Sequence, residues 1–378
     1  MSDKTRRMFS RRRALTWLAG AFLTPDVLAQ TTSPSPPGTR HPSTVTPFAP
    51  VVPGYQLQFP RDTGSHPEFR IEWWYVTGWL QAEGQPLGFQ VTFFRARPEL
   101  RHENPSTFAP RQVMVAHAAL SDPRHGQLIS AQRAARAVFE LAGAALGDTR
   151  VWIKDWRLER HEAGYRAAIA DNTLQIELSL TPSQPPLLQG MRGFSRKGPA
   201  PESASYYYSE PHLRVSGTAS HSGIRRAVTG SAWLDHEWSS SYLPQQASGW
   251  DWIGINLADG GALMAFRMRD RRGGAFWAGG THRRTDGMVE THGPTDVLFV
   301  PRREWRSPRT GTAYPVSWMV RAGALEITIE PLMDDQEHDT RSSTGAIYWE
   351  GAVRAYGGGV EVGRGYLELT GYWRRLSL

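Results

Sequence analysis

Short runs of alternating apolar and polar side chains recur along the chain, separated by turn residues. A two-residue period rich in aromatic and β-branched residues is typical of strands that bury one face. Strands are predicted at 70–80, 87–95, 113–120, 151–158, 165–170, 174–180, 212–217, 227–236, 250–257, 263–269, 349–355 and 365–372. Their spacing predicts an antiparallel meander, with one short helix in the alanine-rich run 131–146.

A sequence repeat indicates that the β pattern occurs twice. Residues 230–238 align without gaps to 363–371 and share a glycine, an aromatic residue, a leucine and an acid. In a second match, Trp74 lies ten residues before a turn glycine, as Trp250 does. The repeat predicts two similar β-barrels, and the chemically capable side chains occur only in the first copy. The correspondences that matter are His236 with Leu369 and Trp238 with Gly371.

The segment 233–238 holds the densest set of reactive side chains. Alternation places Trp233, Asp235 and Glu237 on one face of a strand. It places Leu234, His236 and Trp238 on the other. Two interpretations of His236 stay open: a hydrogen-bonded core histidine in a tryptophan-rich barrel, or an acid–base group beside an indole that stabilises a cation.

Asp251 completes the predicted catalytic set of His236, Trp238 and Asp251. If Trp250 and Trp252 desolvate the carboxyl, its pKa rises and it can donate a proton. The alternative is a hydrogen-bonded acid at the end of a strand. Further candidates for contact with a ligand are Glu72, Trp73, Trp74, Tyr75, Trp250 and Trp252. For Glu72 a structural pairing with Arg70 or Arg95 is the stronger interpretation.

Metal and nucleophile chemistry have little support in the sequence. The chain has no cysteine. Asp235, His236 and Glu237 are adjacent, so in a strand they diverge and cannot share one ion. The chain also lacks His-Glu-x-x-His, Gly-x-Ser-x-Gly and a glycine-rich phosphate loop. We therefore expect no metal, no cofactor and no serine nucleophile.

The first 29 residues resemble an export signal. Adjacent arginines precede a short apolar run and the small-residue site at 27–29, as in a twin-arginine signal, although an ordinary secretory signal stays open. This segment carries six basic and two acidic side chains, so its removal lowers the net charge from +7 to about +3. No basic patch suggests nucleic-acid binding, and the apolar run is too short for a permanent transmembrane helix. We expect a periplasmic or secreted protein without a transmembrane helix in its mature form.

The remaining chain divides into three predicted segments. Residues 30–50 are rich in Ser, Thr and Pro and form a flexible linker. An N-terminal domain is predicted at 51–243 and a C-terminal domain at 244–378.

Several motifs resemble the secreted lipocalin-like family that joins the carotenoid 1,2-hydratases and the AttH proteins. The resemblance covers about residues 50–378 and is closer to the AttH branch, often described as predicted secreted hydrolases. It rests on 59–62 (FPRD), 72–78 (EWWYVTG), 234–239 (LDHEWS), 249–252 (GWDW), 335–337 (DQE), 348–351 (YWEG) and 365–372 (GYLELTGY).

The resemblance implies an all-β fold of two tandem lipocalin-like (calycin) antiparallel barrels. The hydratase branch adds water to a terminal carotenoid double bond without a cofactor. Its His-x-Trp pair is matched by His236 and Trp238. Of its Tyr-x-Asp pair only Asp251 is matched, and Gly249 stands where the tyrosine is expected.

Two functional hypotheses follow from the resemblance and the aromatic barrels. In the first, the protein is a cofactor-free hydratase or hydrolase acting on an apolar, lipid- or isoprenoid-like ligand. In the second, it is a non-catalytic lipid carrier or chaperone that serves an ABC transporter, since AttH-type members are associated with ABC-transport operons. A structural role in the cell envelope is the third and weakest interpretation.

Overall fold

The computed structural model describes residues 48–98, 111–162 and 164–376. The predicted export signal and all of the linker before residue 48 lie outside the described residues. Among the described residues, strands form two antiparallel sheets, and no helix is long and apolar enough to cross a membrane. The all-β prediction is confirmed.

The first sheet has the order β4-β3-β2-β1-β13-β12-β9-β8-β7-β6-β5, with β10 and β11 also paired to β12. Its last strands curl back until β4 contacts β6 and β9, so the sheet forms a nearly closed barrel, here called barrel 1. Its strands are β1 (Ile71–Ala82), β2 (Gln85–Ala96), β3 (Val113–Ser121), β4 (Ile129–Arg136), β5 (Ala142–Ala144), β6 (Arg150–Ile153), β7 (Trp156–His161), β8 (Gly164–Ala170), β9 (Leu174–Thr181), β10 (Leu187–Leu188), β11 (Phe194–Arg196), β12 (Ala204–His221) and β13 (Ile224–Ser239).

The second sheet, barrel 2, has the order β17-β16-β15-β14-β23-β22-β20-β19-β18, with β21 paired to β22. Here β18 approaches β15 and β16, which again curls the sheet toward closure. Its strands are β14 (Ala247–Leu257), β15 (Ala262–Asp270), β16 (Ala275–Arg283), β17 (Val289–His292), β18 (Val297–Arg306), β19 (Ala313–Ala322), β20 (Leu325–Pro331), β21 (Glu337–Thr340), β22 (Ala346–Gly357) and β23 (Val360–Leu369). A short 3₁₀ helix, Arg61–Thr63, precedes β1.

The two barrels have equivalent centres. In each, the first strand pairs with both the second and the last strand: β1 with β2 and β13, and β14 with β15 and β23. The repeated segments 230–238 and 363–371 therefore fall on equivalent strands, β13 and β23. The prediction of two tandem barrels is confirmed, while the domain boundary at 243/244 stays a prediction.

The register corrects one detail of the repeat. His236 pairs with Trp74, and its equivalent Leu369 pairs with Asp251. Trp74 is thus equivalent to Asp251, one position from the predicted Trp250. Trp250 instead matches Trp73, and Trp252 matches Tyr75.

Two predicted elements are wrong. The alanine-rich run 131–146 contains strands β4 and β5, because pairing with β3 and β6 outweighs the weak helix preference of alanine. The single strand predicted at 151–158 is two strands, β6 and β7, joined by a turn at Lys154 with φ of 56°. Strands β16–β21 were not predicted, since segments such as β18 expose many of their side chains and lack a clear apolar alternation.

Three apolar clusters occupy this architecture. One fills barrel 1 and one fills barrel 2. The third lies between them, where outer faces of the two sheets pack together. In β13, Leu234 and Trp238 face the first cluster, whereas Trp233 belongs to the third, as the alternation predicts.

Candidate functional site

His236 and Trp238 lie inside barrel 1, and both side chains are fully buried. His236 Nε2 lies 2.9 Å from Glu72 Oε1, and its ring stacks on Trp74 with 4.6 Å between ring centres. The stacked His66 ring covers one face of the Trp238 indole at 3.7 Å. That face is therefore filled by protein in this structure.

Glu72 is the centre of this barrel 1 network. Arg95, one of its two predicted partners, donates from Nε at 2.8 Å, and Ser65 Oγ donates at 2.9 Å. His66 Nδ1 lies 2.8 Å from the same carboxylate. Burial opposes its ionisation, but hydrogen bonds from His236 and His66 and the charge of Arg95 hold the pKa of Glu72 well below its usual range.

His66, Glu72 and His236 also bring three metal-ligand side chains together. Both imidazoles, however, lie at hydrogen-bonding distance from Glu72, and the Arg95 guanidinium occupies its other oxygen. The distances from the two imidazoles to the Glu72 carboxylate are those of hydrogen bonds. They are too short for a shared zinc ion, whose ligand atoms lie about 3.4 Å apart.

Asp251 does not join His236 and Trp238. It lies on the barrel 2 side of β14, where Arg267 Nε and Arg269 Nε donate to it at 2.6 and 3.1 Å. Tyr372 Oη donates at 3.0 Å. Trp250 and Trp252 belong to the opposite face of the strand, so their rings do not enclose this carboxyl as predicted. The predicted catalytic set is therefore divided between two barrels.

The third cluster collects the remaining predicted ligand-binding residues. Tyr75 meets Trp252 edge-on, with 5.4 Å between ring centres. Trp73 and Trp250 both pack edge-on against Tyr242, at 4.9 and 5.4 Å. These four residues lie between the barrels, whereas Glu72 and Trp74 lie inside barrel 1.

Asp235 is buried at this inter-barrel cluster. Tyr207 Oη and Trp233 Nε1 donate to its two carboxylate oxygens at 2.7 and 2.6 Å, and Ser209 Oγ also donates. Burial raises the pKa of Asp235 to about 7, although these hydrogen bonds favour the charged form. An acid that exchanges its proton near neutral pH suits general acid–base catalysis.

Glu368 is the equivalent acid of barrel 2. Leu369 matches His236, so Glu368 in β23 matches Asp235 in β13. Trp250 Nε1 donates to Glu368 at 2.7 Å, and burial raises the pKa of Glu368 to about 7, with a further contribution from the charge of Asp235. The repeat has thus placed two acids of similar pKa at one interface.

Three further ionisable groups extend the cluster. Lys197 Nζ lies 2.8 Å from Glu237 Oε1 and within 4.3 Å of the Phe266 ring centre. Burial lowers the pKa of Lys197 and raises the pKa of Glu237. Burial, reinforced by the charge of Glu368, also raises the pKa of Glu350 well above its usual range. Such a concentration of shifted groups marks a candidate site on physical grounds.

Two openings flank these acids along β13. An apolar cleft of about 640 Å³ includes Trp79, Gly230 and Trp233. A second groove of about 480 Å³ includes Ser240 and Tyr242. Asp235 and Glu237 lie between the two openings in the sequence of β13. The distance from residue 233 to residue 240 is roughly 23 Å along an extended strand, and neither opening is lined by Asp235, Glu237 or Glu368.

The sequence marks the segment 233–238, but its pattern places the predicted chemistry on the face of His236 and not on that of Asp235. In the sequence, Asp235 and Glu237 are evident only as acids of this motif, and Glu368 only as a repeated acid. The repeat itself was the signal for Glu368. Lys197 directly follows strand β11, and Glu350 lies in one of the quoted motifs. Neither has a sequence pattern that places it between the barrels.

The family comparison matches the AttH-like model over residues 50–372. A solved structure of a Nitrosomonas europaea protein assigned to AttH is 54% identical, with a TM-score of 0.81, over 86% of this chain and 99% of that one. Kievitone hydratase from Nectria haematococca is 12% identical, with a TM-score of 0.65 over the same shares, a likeness of fold. The search of curated proteins gives no match.

Proposed function

Because the chain belongs to the AttH-like family, we propose that it binds an elongated apolar ligand between its two lipocalin-like barrels and catalyses proton transfer there without a cofactor. The observation that carries this proposal is the pair Asp235 and Glu368, a buried and a half-buried acid at equivalent positions whose pKa values both rise to about 7. A protonated acid and an ionised one can then coexist near neutral pH.

Addition of water to a carbon–carbon double bond is the reaction that this pair suits best. One acid donates a proton to the alkene, and the other, as a carboxylate, takes a proton from the attacking water. The faces of Trp252 and Tyr75 could stabilise the developing cation, an attraction of roughly 0.5–2 kcal/mol. The fold likeness to kievitone hydratase is consistent with this reaction class.

The ligand class follows from the apolar cleft and its aromatic walls. A lipid- or isoprenoid-like compound fits these walls, and a periplasmic or secreted location would give access to envelope lipids. The competing function is a non-catalytic carrier or chaperone that serves an ABC transporter. It is favoured by the apolar cleft, because the residues that line it do not include Asp235, Glu237 or Glu368.

Mass spectrometry separates the two functions. The purified protein is incubated with envelope lipid extract and with a panel of isoprenoids, and bound and free compounds are then analysed. The enzyme hypothesis predicts time-dependent gain or loss of one water by a bound compound. Stoichiometric recovery of the bound compound unchanged would instead support the carrier.

A further inference from the structure

A second set of metal-ligand side chains lies at the edge of barrel 2, away from the acids between the barrels. His282 is in β16, and Glu290 and His292 are in the adjoining edge strand β17. His282 pairs directly with Glu290 in the register, and His292 pairs with Gly280. Because side chains two residues apart share a face, all three project from one side of the hairpin.

The ligand atoms of this set are spaced for an ion. His282 Nδ1 and His292 Nε2 lie 3.8 and 3.9 Å from the same oxygen, Glu290 Oε2, and all three atoms lie within 4.8 Å of one another. These separations exceed hydrogen-bonding range, unlike the 2.8 and 2.9 Å contacts around Glu72. Tetrahedral zinc at its usual bond lengths sets ligand atoms about 3.4 Å apart. The two nitrogen–oxygen distances therefore need to shorten by about half an ångström, and the distance between the two nitrogens by at most about 1.4 Å.

The surroundings hold these ligands in place. The Nε2 atom of His292 is buried and has no hydrogen-bond partner. Its ring lies against Gly323, where a Cβ atom would come within 2.5 Å of it. Arg284 Nη1 donates to Glu290 Oε1 at 3.5 Å, which leaves Oε2 facing the imidazoles. An outer partner of this kind orients a carboxylate ligand.

We propose that His282, Glu290 and His292 form a binding site for a divalent transition-metal ion, with zinc as the preferred ion. Two imidazoles and one carboxylate are a common zinc donor set, and the fourth position is left for water or another ligand. Bound there, the ion would tie the four-residue edge strand β17 to β16.

The test uses the full mature chain, stripped of metal and free of any affinity tag. After equilibrium dialysis against zinc, we expect one zinc per chain by elemental analysis and two nitrogen ligands by X-ray absorption. His282→Ala and Glu290→Ala change partly exposed side chains. Loss of a residue that only orients a ligand weakens metal binding by about 10- to 100-fold. Loss of a ligand itself should therefore weaken zinc binding by more than about tenfold. Zinc should also raise the Tm of the parent protein but not of Glu290→Ala.

His161→Ala provides the matched control, since His161 is exposed and lies beside Glu159 on strand β7. It should bind zinc as the parent does. His292→Gln tests the ligand whose Nε2 atom is buried, with a side chain of similar size. Failure of the parent protein to bind zinc, or undiminished stoichiometric binding by both His282→Ala and Glu290→Ala, would overturn the proposal.

Discussion

His236 occupies a position that resembles a catalytic one, but its buried side chain packs between two indoles and is hydrogen-bonded to a carboxylate. Its ring fills the space between Trp74 and Trp238, and its Nε2 holds the Glu72 carboxylate. Substitution by leucine copies the second barrel but removes a donor from a buried charge. A volume-conserving swap costs up to roughly 1.5 kcal/mol of unfolding free energy. We expect His236→Leu to cost about 1–3 kcal/mol more than that, because it leaves a buried group without its hydrogen-bond partner.

Urea unfolding measures this loss. Trp238→Phe is the companion variant: it removes no hydrogen bond, because Trp238 Nε1 has no partner, and keeps an aromatic surface for His66. It should cost less than His236→Leu. A His236→Leu protein that keeps its stability but no longer handles ligand would place the chemistry in barrel 1 after all.

Asp235 should leave a signature in the pH dependence of stability. Its folded pKa of about 7 is above its ordinary value of 3.8. Below about pH 4 both states are protonated; between about pH 4 and 7 the unfolded state loses the proton while the folded state keeps it, so stability falls as pH rises. Asp235→Asn should remove this contribution to the fall.

The measurement is the Tm of parent and variant from pH 4.5 to 7.5. The Tm difference should move in favour of Asp235→Asn as pH rises through this window and then level off. Asp286→Asn, at an exposed turn acid, controls for general charge effects. A difference that is independent of pH would mean that Asp235 ionises normally in the folded protein.

At the scale of elements, glycines let the central strands approach closely. A Cβ atom at Gly365 would lie 1.8 Å from the carbonyl oxygen of Gly254 on the neighbouring strand, and the Gly365 carbonyl accepts a bond from Trp79 of barrel 1. Gly365→Ala should therefore destabilise the protein by about 1–3 kcal/mol or more. Gly274→Ala, which meets nothing nearer than 3.5 Å, should cost far less in the same unfolding assay. Equal stability of the two variants would contradict this packing.

Much of the element pattern could be predicted because it depends on local alternation. The first hairpin, the face assignment of Leu234 and Trp238, and the strands at 165–170 and 174–180 follow from side-chain period alone. The sequence could not exclude a helix at 131–146, because alanine is compatible with both helix and strand. Pairing with the neighbouring strands determines that this segment is part of the sheet.

The site was harder to predict because it depends on how two sheets meet. Alternation separated Asp235 from His236 correctly but gave no sign of which face lies between the barrels. The position of Asp251 depends on a difference of one residue: its neighbours Trp250 and Trp252 face the interface, whereas Asp251 faces Arg267 and Arg269.

At the scale of the whole molecule, the two barrels share their most aromatic surface. Strand β1 contacts β23, and the equivalent strand β14 contacts β13. Such reciprocal contacts are expected of two barrels related by an approximate two-fold axis. Since the acids and the third apolar cluster are buried jointly, neither barrel can unfold without exposing the other's face. We expect one cooperative thermal transition, detected identically by tryptophan fluorescence and far-ultraviolet circular dichroism. Two well-separated transitions would contradict a shared interface.

The central claim is that an acid between the barrels, not the imidazole inside barrel 1, carries the proton. Its most direct test is the turnover of parent and Asp235→Asn with a compound that gains or loses water in the mass-spectrometric assay, measured across pH 5 to 9. The account predicts that the parent rate changes through about pH 7. It also predicts that Asp235→Asn binds the compound but turns it over at least about a hundredfold more slowly. Undiminished turnover by a folded Asp235→Asn protein would contradict it.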